Sequence, residues 1–180
     1  IFPGLALALE PAEPDIMQRP PRGSEEKIID AGDLRRMSIE SGVIGVGTMA
    51  AYIYGLRRYG DPAAASTMAF NSLVLNELAH SLSSRSKYRN VFGGQKLTPN
   101  PHLVRAIGGM AGLQAVVSLL PAARRLLGTT PIGLVDLLVV LGSVLGPLLV
   151  NETMKPPVPV LAAPDDTDDT PTSAPTEEPA

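Results

Sequence analysis

The chain has 180 residues, no cysteine, 18 acidic against 15 basic side chains, and 44% apolar residues. The lack of cysteine excludes a disulfide framework, a cysteine-ligated zinc site and a thiol nucleophile. Six of the 18 acids fall in the last sixteen residues, so the net charge of −3 says little about the rest of the chain.

The first element is the apolar run "IFPGLALAL", too short to cross a bilayer. No basic segment precedes it and Pro3 interrupts it, so it does not read as a signal peptide. Three residues on comes the polar stretch "EPDIMQRPPR", and the run is expected to be the end of a preceding transmembrane helix, residues 1–10, which makes the chain a piece of a longer one whose missing part lies upstream. Residues 11–37 are expected to be a loop. Pro14, Pro20 and Pro21 fix their own φ and push the residues before them toward extended geometry, so this loop should leave the membrane as a stiff strap.

Four charge-free gaps follow, between Glu40 and Arg57, Asp61 and Glu77, Arg105 and Arg124, and Asp136 and Glu152. With uncharged margins each approaches the roughly 20 residues that cross a bilayer. The predicted spans are 38–56, 64–84, 103–120 and 134–150, within a membrane domain over 38–155. Four buried helices of a soluble bundle would each need a polar stripe, and "GVIGVGTMAAYIYGL" and "LVDLLVVLGSVLGPLLV" have none. The fold class is therefore an all-α membrane protein with four transmembrane helices, the end of an earlier one, and a tail. Eleven of the Lys and Arg residues lie on one side of this arrangement and four on the other, which places the strap and the C-terminal tail in the cytoplasm. Tyr52, Tyr54 and Tyr59 then cluster at the outer interface.

Within the spans, Glu77 is the residue that calls for an account, because a carboxylate at that depth costs several kcal/mol unless it is paired, hydrated or bound to an ion. His80, Ser81 and Ser84 follow at roughly helical spacing, and Asn71 and Asn76 add polarity to the same helix. An ion ligand, a pairing with another helix and a protonated acid all satisfy such a residue. His80 alone reads as a polar packing residue. Asp136 reads as an acid at a helix N-terminus beside water. Gly108-x-x-x-Gly112 and Gly142-x-x-x-Gly146 are expected seams between helices, Pro147 is expected to bend the last span, and "PAARRLLGTTPIG" is expected to be the outer turn. Residues 156–180, rich in Pro, Ala, Thr and acid, have too few large apolar groups to fold and are expected to be a disordered cytoplasmic tail.

Two stretches resemble a known family. "LALALEPAEPDIMQRPPR" is similar to the end of the sixth transmembrane helix and the following loop of type II, calcium-pump-like P-type cation-transporting ATPases, and "STMAFNSLVLNELAHSLSSRS" is similar to their eighth helix. The resemblance covers residues 1 to about 155 and implies helices seven to ten of such a pump. It implies that Asp15, Arg19 and Arg22 belong to a loop coupling the phosphorylation domain to the membrane, with lipid-facing arginines as the plainer alternative. It implies that Glu77 supplies an oxygen to the transported cation, with Asn71, Asn76 and His80 as support. The metal in question is the cargo, and calcium wants six to eight oxygens, more than one helix offers.

The resemblance departs at His80 and Ser83, where calcium-pump relatives commonly carry asparagine, and so leaves the ion open. No D-K-T-G-T-like phosphorylation sequence, P-loop or Gly-rich nucleotide loop occurs in the chain. Catalysis and the binding of Mg-ATP would belong to upstream domains of the same polypeptide, and no cofactor is expected in this chain. The expected partners are those domains, the lipid bilayer of the plasma membrane and the cation; nucleic acid is not one. A stand-alone four-helix scaffold and a proton-coupled carrier working through Glu77 are the alternatives from other classes.

Overall fold

The computed structural model describes residues 2–19, 25, 27–93 and 97–158. Pro20, Pro21 and Arg22 of the strap and most of the tail, 159–180, lie outside the described residues. Among those described, regular structure is entirely helical: α1 (Phe2–Leu7), α2 (Ala31–Tyr59), α3 (Pro62–Ser83), α4 (Pro101–Leu119), α5 (Pro121–Leu127) and α6 (Leu134–Thr153), with one 3₁₀ turn at Ile16–Gln18.

Local chemistry places the boundaries. Asp30 accepts a hydrogen bond from the Asp33 N–H at 2.7 Å and starts α2 there, so the end of the segment expected to be loop is already helical. Gly60, at φ 63°, closes α2 in the left-handed conformation that costs glycine least. Asp61 and Asn100 cap α3 and α4, each followed by a proline at the first helical position, where its missing N–H is no loss. The expected outer turn holds the short helix α5, started by Pro121 and stopped by Gly128 at φ 66°.

Three of these helices, α2, α4 and α6, are long and apolar enough to cross a membrane. The expected second span, α3, has 22 residues, about 33 Å of helix, but is not apolar enough to join them. The reason lies in its polar residues. Asn71, Ser72 and Asn76 are buried in the bundle, both asparagine amides donating to carbonyls of α3 itself, while Gln114 of α4 and Ser143 of α6 meet Asn71 and Ser72. They lower the apolar character of the helix without facing lipid.

Helices α2, α3 and α6 pack against one another, with α4 against α3 and α1. Ala51, Met68 and Val140, one from each of the three, form the apolar centre. Close approach depends on two α2 glycines. A methyl group added at Gly55 would lie 2.9 Å from Met68 Cγ and 3.0 Å from Ala65 Cα, and one at Gly47 would lie 2.8 Å from the Ser143 carbonyl oxygen. The two expected glycine seams are corrected here: Gly108, Gly112, Gly142 and Gly146 have nothing within 4 Å of an added methyl. The spacing is common in membrane helices, and only packing shows which copy is used.

Polar rungs join the same helices. Ser72 Oγ and Ser143 Oγ are 2.7 Å apart, and Thr48 Oγ1 lies 3.4 Å from Ser72 Oγ. Helix α6 runs through Pro147, which has no N–H for the Ser143 carbonyl four residues back. That carbonyl is met across the interface by Asn76 Nδ2 at 3.5 Å, as a freed carbonyl within a bilayer requires.

At the other end of α6, Asp136 is fully buried, not beside water as its helix-terminal position suggested. Its Oδ2 accepts hydrogen bonds from the Tyr59 hydroxyl and the Gly133 N–H, both at 2.6 Å, and Arg58 Nε lies 3.3 Å from Oδ1. Arg58 also stacks over Tyr54 and Tyr59. The acid ties the ends of α2 and α6 together.

Candidate functional site

The chemistry collects at the end of the bundle where α2 begins. Along α3, Ser66, Phe70, Leu73, Glu77, His80 and Ser84 are all exposed. They are spaced alternately four and three residues apart, which draws one continuous lane down the helix. The buried residues Ala65, Met68, Ser72 and Asn76 lie on the opposite side. Glu77 therefore stands on the face of α3 that α2, α4 and α6 leave open.

Glu77 and His80 line the wall of a cavity of about 420 Å³ that reaches past Glu40 to Lys87 in the loop after α3. His80 Nδ1 lies 2.6 Å from Glu40 Oε1, and its Nε2 lies 3.1 Å from Ser84 Oγ. The Nδ1–H form of a neutral ring fits both contacts, donating to the carboxylate and accepting from the hydroxyl. Ser81 is occupied otherwise, its hydroxyl donating to the Glu77 backbone carbonyl at 2.8 Å.

The two asparagines behave differently. Asn76 borders the cavity, but its amide donates to the Ser72 carbonyl at 2.9 Å. Asn71 is turned toward α4, donating to the Thr67 carbonyl at 2.8 Å and accepting from Gln114 Nε2 at 2.9 Å. The structure thus brings Glu77 and His80 to one wall, leaves Asn76 at its edge, and separates Asn71 from them. Among the described residues no group of three or more His, Asp or Glu side chains is assembled to hold a metal ion.

The strap folds against the loop joining α3 to α4. Instead of running extended throughout, it makes the turn at Ile16–Gln18, where Arg19 pairs with both Glu13 and Asp15 and its guanidinium lies 5.1 Å from the Tyr88 ring centre. Arg89 pairs with the same two acids, and Ser86 Oγ donates to Glu13 at 2.7 Å. Burial pushes the Glu13 carboxyl up, but hydrogen bonds from Ser86 and Arg19 and the charges of Arg19 and Arg89 outweigh it and leave it below its ordinary 4.5. Asp15 is held below its ordinary 3.8 in the same way, burial being outweighed by Arg19 and Arg89. Arg19 is held above its ordinary value, its burial outweighed by the two acids. Closer to α1, Glu10 accepts from Arg85 at 2.7 Å and from Asn100, the cap of α4, at 2.6 Å.

Asp15 and Arg19, singled out in the sequence, are thus in one cluster; Arg22 lies outside the described residues. Reading along the chain missed Glu40, Glu13, Ser86 and Arg89. Glu40 had a signal, an acid bordering a charge-free gap, but its partner is forty residues away.

Residues 1–156 match the family described as cation transporting ATPase, C-terminus. The chain is 26% identical over 153 residues to the calcium-transporting ATPase type 2C member 1 of Mus musculus, a match that covers 85% of this chain and 17% of that protein. It is 30% identical over 170 residues to calcium-transporting ATPase 1 of Bacillus cereus, covering 86% of this chain and 19% of that protein. With calcium-transporting ATPase 1 of Schizosaccharomyces pombe the identity is 28% over 153 residues, covering 85% and 17%. The chain spans less than a fifth of the length of these curated relatives. With 156 residues matched in sequence and an all-helical bundle to carry them, the chain belongs to the cation-transporting ATPase C-terminal family.

Proposed function

We propose that this chain is the carboxy-terminal membrane portion of a type II, ATP-driven cation pump that carries calcium across the cell membrane. Helices α2, α3, α4 and α6 are its four crossings and α1 is the end of the crossing before them. The strap and the C-terminal tail lie in the cytoplasm, and upstream domains of the same polypeptide bind Mg-ATP and become phosphorylated. Support for the ion comes from the relatives, which are calcium-transporting ATPases.

The observation that carries the reading is the open lane of α3. A carboxylate on an outward lane of a membrane helix, backed by a polar cavity, is costly unless something covers it. Further helices of the same pump, packed on Phe70, Leu73 and Glu77, would cover it and bring the remaining oxygens of a calcium shell. Glu77 then contributes one ligand, with His80 and Asn76 lining the approach. At the cytoplasmic end, Asp15, Arg19 and Arg22 belong to the strap that passes movements of the phosphorylation domain to the bundle.

The test is calcium uptake by the complete polypeptide that carries this chain, purified and reconstituted in vesicles. Uptake that requires ATP and is abolished by vanadate supports the proposal. Uptake that persists without ATP hydrolysis points to a carrier, and vesicles that move no cation under any condition leave only a scaffold.

A further inference from the structure

The loop 84–93, between α3 and α4, is held from two sides by different parts of the chain. On one side the Arg89 guanidinium pairs with Glu13 and Asp15 of the strap, and Ser86 donates to Glu13. On the other, the end of α6 reaches up to it. Lys155 Nζ lies 2.9 Å from the Ser83 carbonyl, 2.9 Å from the Arg89 carbonyl and 2.8 Å from Glu152 Oε1. An ammonium has three donors, and all three are used. Glu152 is equally occupied: Oε1 takes Lys155 and the Ser83 hydroxyl, and Oε2 takes the Val91 N–H at 2.7 Å. Asn151 completes the knot by donating to Ser83 Oγ at 2.7 Å.

The side chains of Lys155 and Glu152 are 2% and 6% exposed. Burying such a pair wins little stability, since apolar residues of similar volume often do as well or better. What the pair does provide is a single register. Sliding α6 relative to the loop by one residue would strand an ammonium and a carboxylate away from water, an expensive state. Among the described residues no hydrogen bond or ion pair joins 10–19 directly to α6, so loop 84–93 stands between them. Arg89 is the hinge of this arrangement, its carbonyl held by α6 and its guanidinium by the strap.

We infer that Glu152 and Lys155 are positioning residues for the strap, acting through Arg89: the end of α6 sets where the loop sits, and the loop sets where Glu13 and Asp15 are held. The inference rests on the proposed coupling role of the strap only for its effect on turnover. A continuous chain of contacts is geometric; energetic coupling along it is what the experiment reads.

The chain has no tryptophan and no cysteine, which makes the test direct. Met17, 91% exposed on the strap, is replaced by Trp as a lone fluorophore, and the full 180-residue chain is placed in lipid nanodiscs. Lys155→Cys should lower the residual anisotropy of that indole with no loss of helix content. Alkylation of the same cysteine by 2-bromoethylamine, which restores an ammonium at nearly the lysine position, should return it. Glu152→Gln, a milder change of almost the same shape, should lower it as well. Anisotropy unchanged in both variants overturns the inference, as does a fall that complete alkylation fails to reverse.

The complete pump separates this from the coupling reading. If Lys155→Cys frees the strap and slows turnover at unchanged ion affinity, both stand. If it frees the strap and turnover holds, the positioning stands and the coupling role of the strap falls.

Discussion

Glu40 on α2 and His80 on α3, forty residues apart in sequence, meet at 2.6 Å across the wall of the cavity that also holds Glu77. This contact fixes which way the imidazole points and occupies the Glu40 carboxylate, which lines the same cavity as Glu77. Only two histidines occur in the chain, so ring ¹⁵N spectra of the histidine-labelled protein resolve into His80 and His102. Glu40→Gln should move the His80 ring signals and leave those of His102 in place. Spectra that do not change would mean that the two side chains do not meet in the membrane.

The glycine seams give a contrast of four positions. Gly55→Leu and Gly47→Leu insert bulk where a single methyl already comes within 3 Å of a neighbour, and each should destabilise the bundle by about 1–3 kcal/mol or more. Gly108→Leu and Gly142→Leu, with open space around them, should shift stability by no more than about 0.5 kcal/mol. Unfolding by SDS titration in mixed micelles measures all four, and equal losses at both pairs would contradict the packing described.

The strap should respond to acid in a defined window. Glu13 and Asp15 are held below their ordinary values of 4.5 and 3.8, so folding favours their ionised forms. That stabilisation is fully present above the ordinary values and fades as pH falls through the lowered ones. Amide exchange of 86–91, corrected for the intrinsic pH dependence of exchange, should stay protected from pH 7 to about 5 and lose protection below about 4. Protection that disappears already between pH 7 and 6 would assign the order of the loop to other groups.

What could be read along the chain was what depends on neighbours in sequence. Charge-free gaps locate α2, α4 and α6, because a bilayer penalises charge wherever it falls, whereas the start of α2 at Asp30, inside the segment expected to be loop, was not read. The 3.6-residue repeat also puts Glu77, His80 and Ser84 on one face. What stayed hidden depends on which face meets which neighbour. Asn71 and Asn76 look like companions of Glu77 by spacing, yet their amides serve the packing of α3. Asp136 sits at a helix start, as expected, but Tyr59 and Arg58 fold over it and take it out of water. The prolines suggested an extended strap, yet its described part turns at Ile16–Gln18, and its partners Ser86 and Arg89 lie some seventy residues away, beyond any local signal.

The central claim is that Glu77 faces the transported ion, and the most direct measurement is the calcium dependence of ATP hydrolysis by the complete pump carrying Glu77→Gln. The amide keeps the shape and removes the charge that a hard cation prefers. The account predicts that half-maximal activation needs at least about tenfold more calcium, roughly 1.4 kcal/mol of binding, while the variant folds and inserts as before. An activation curve that overlays the unmodified pump would contradict it and return Glu77 to a packing or proton-holding role.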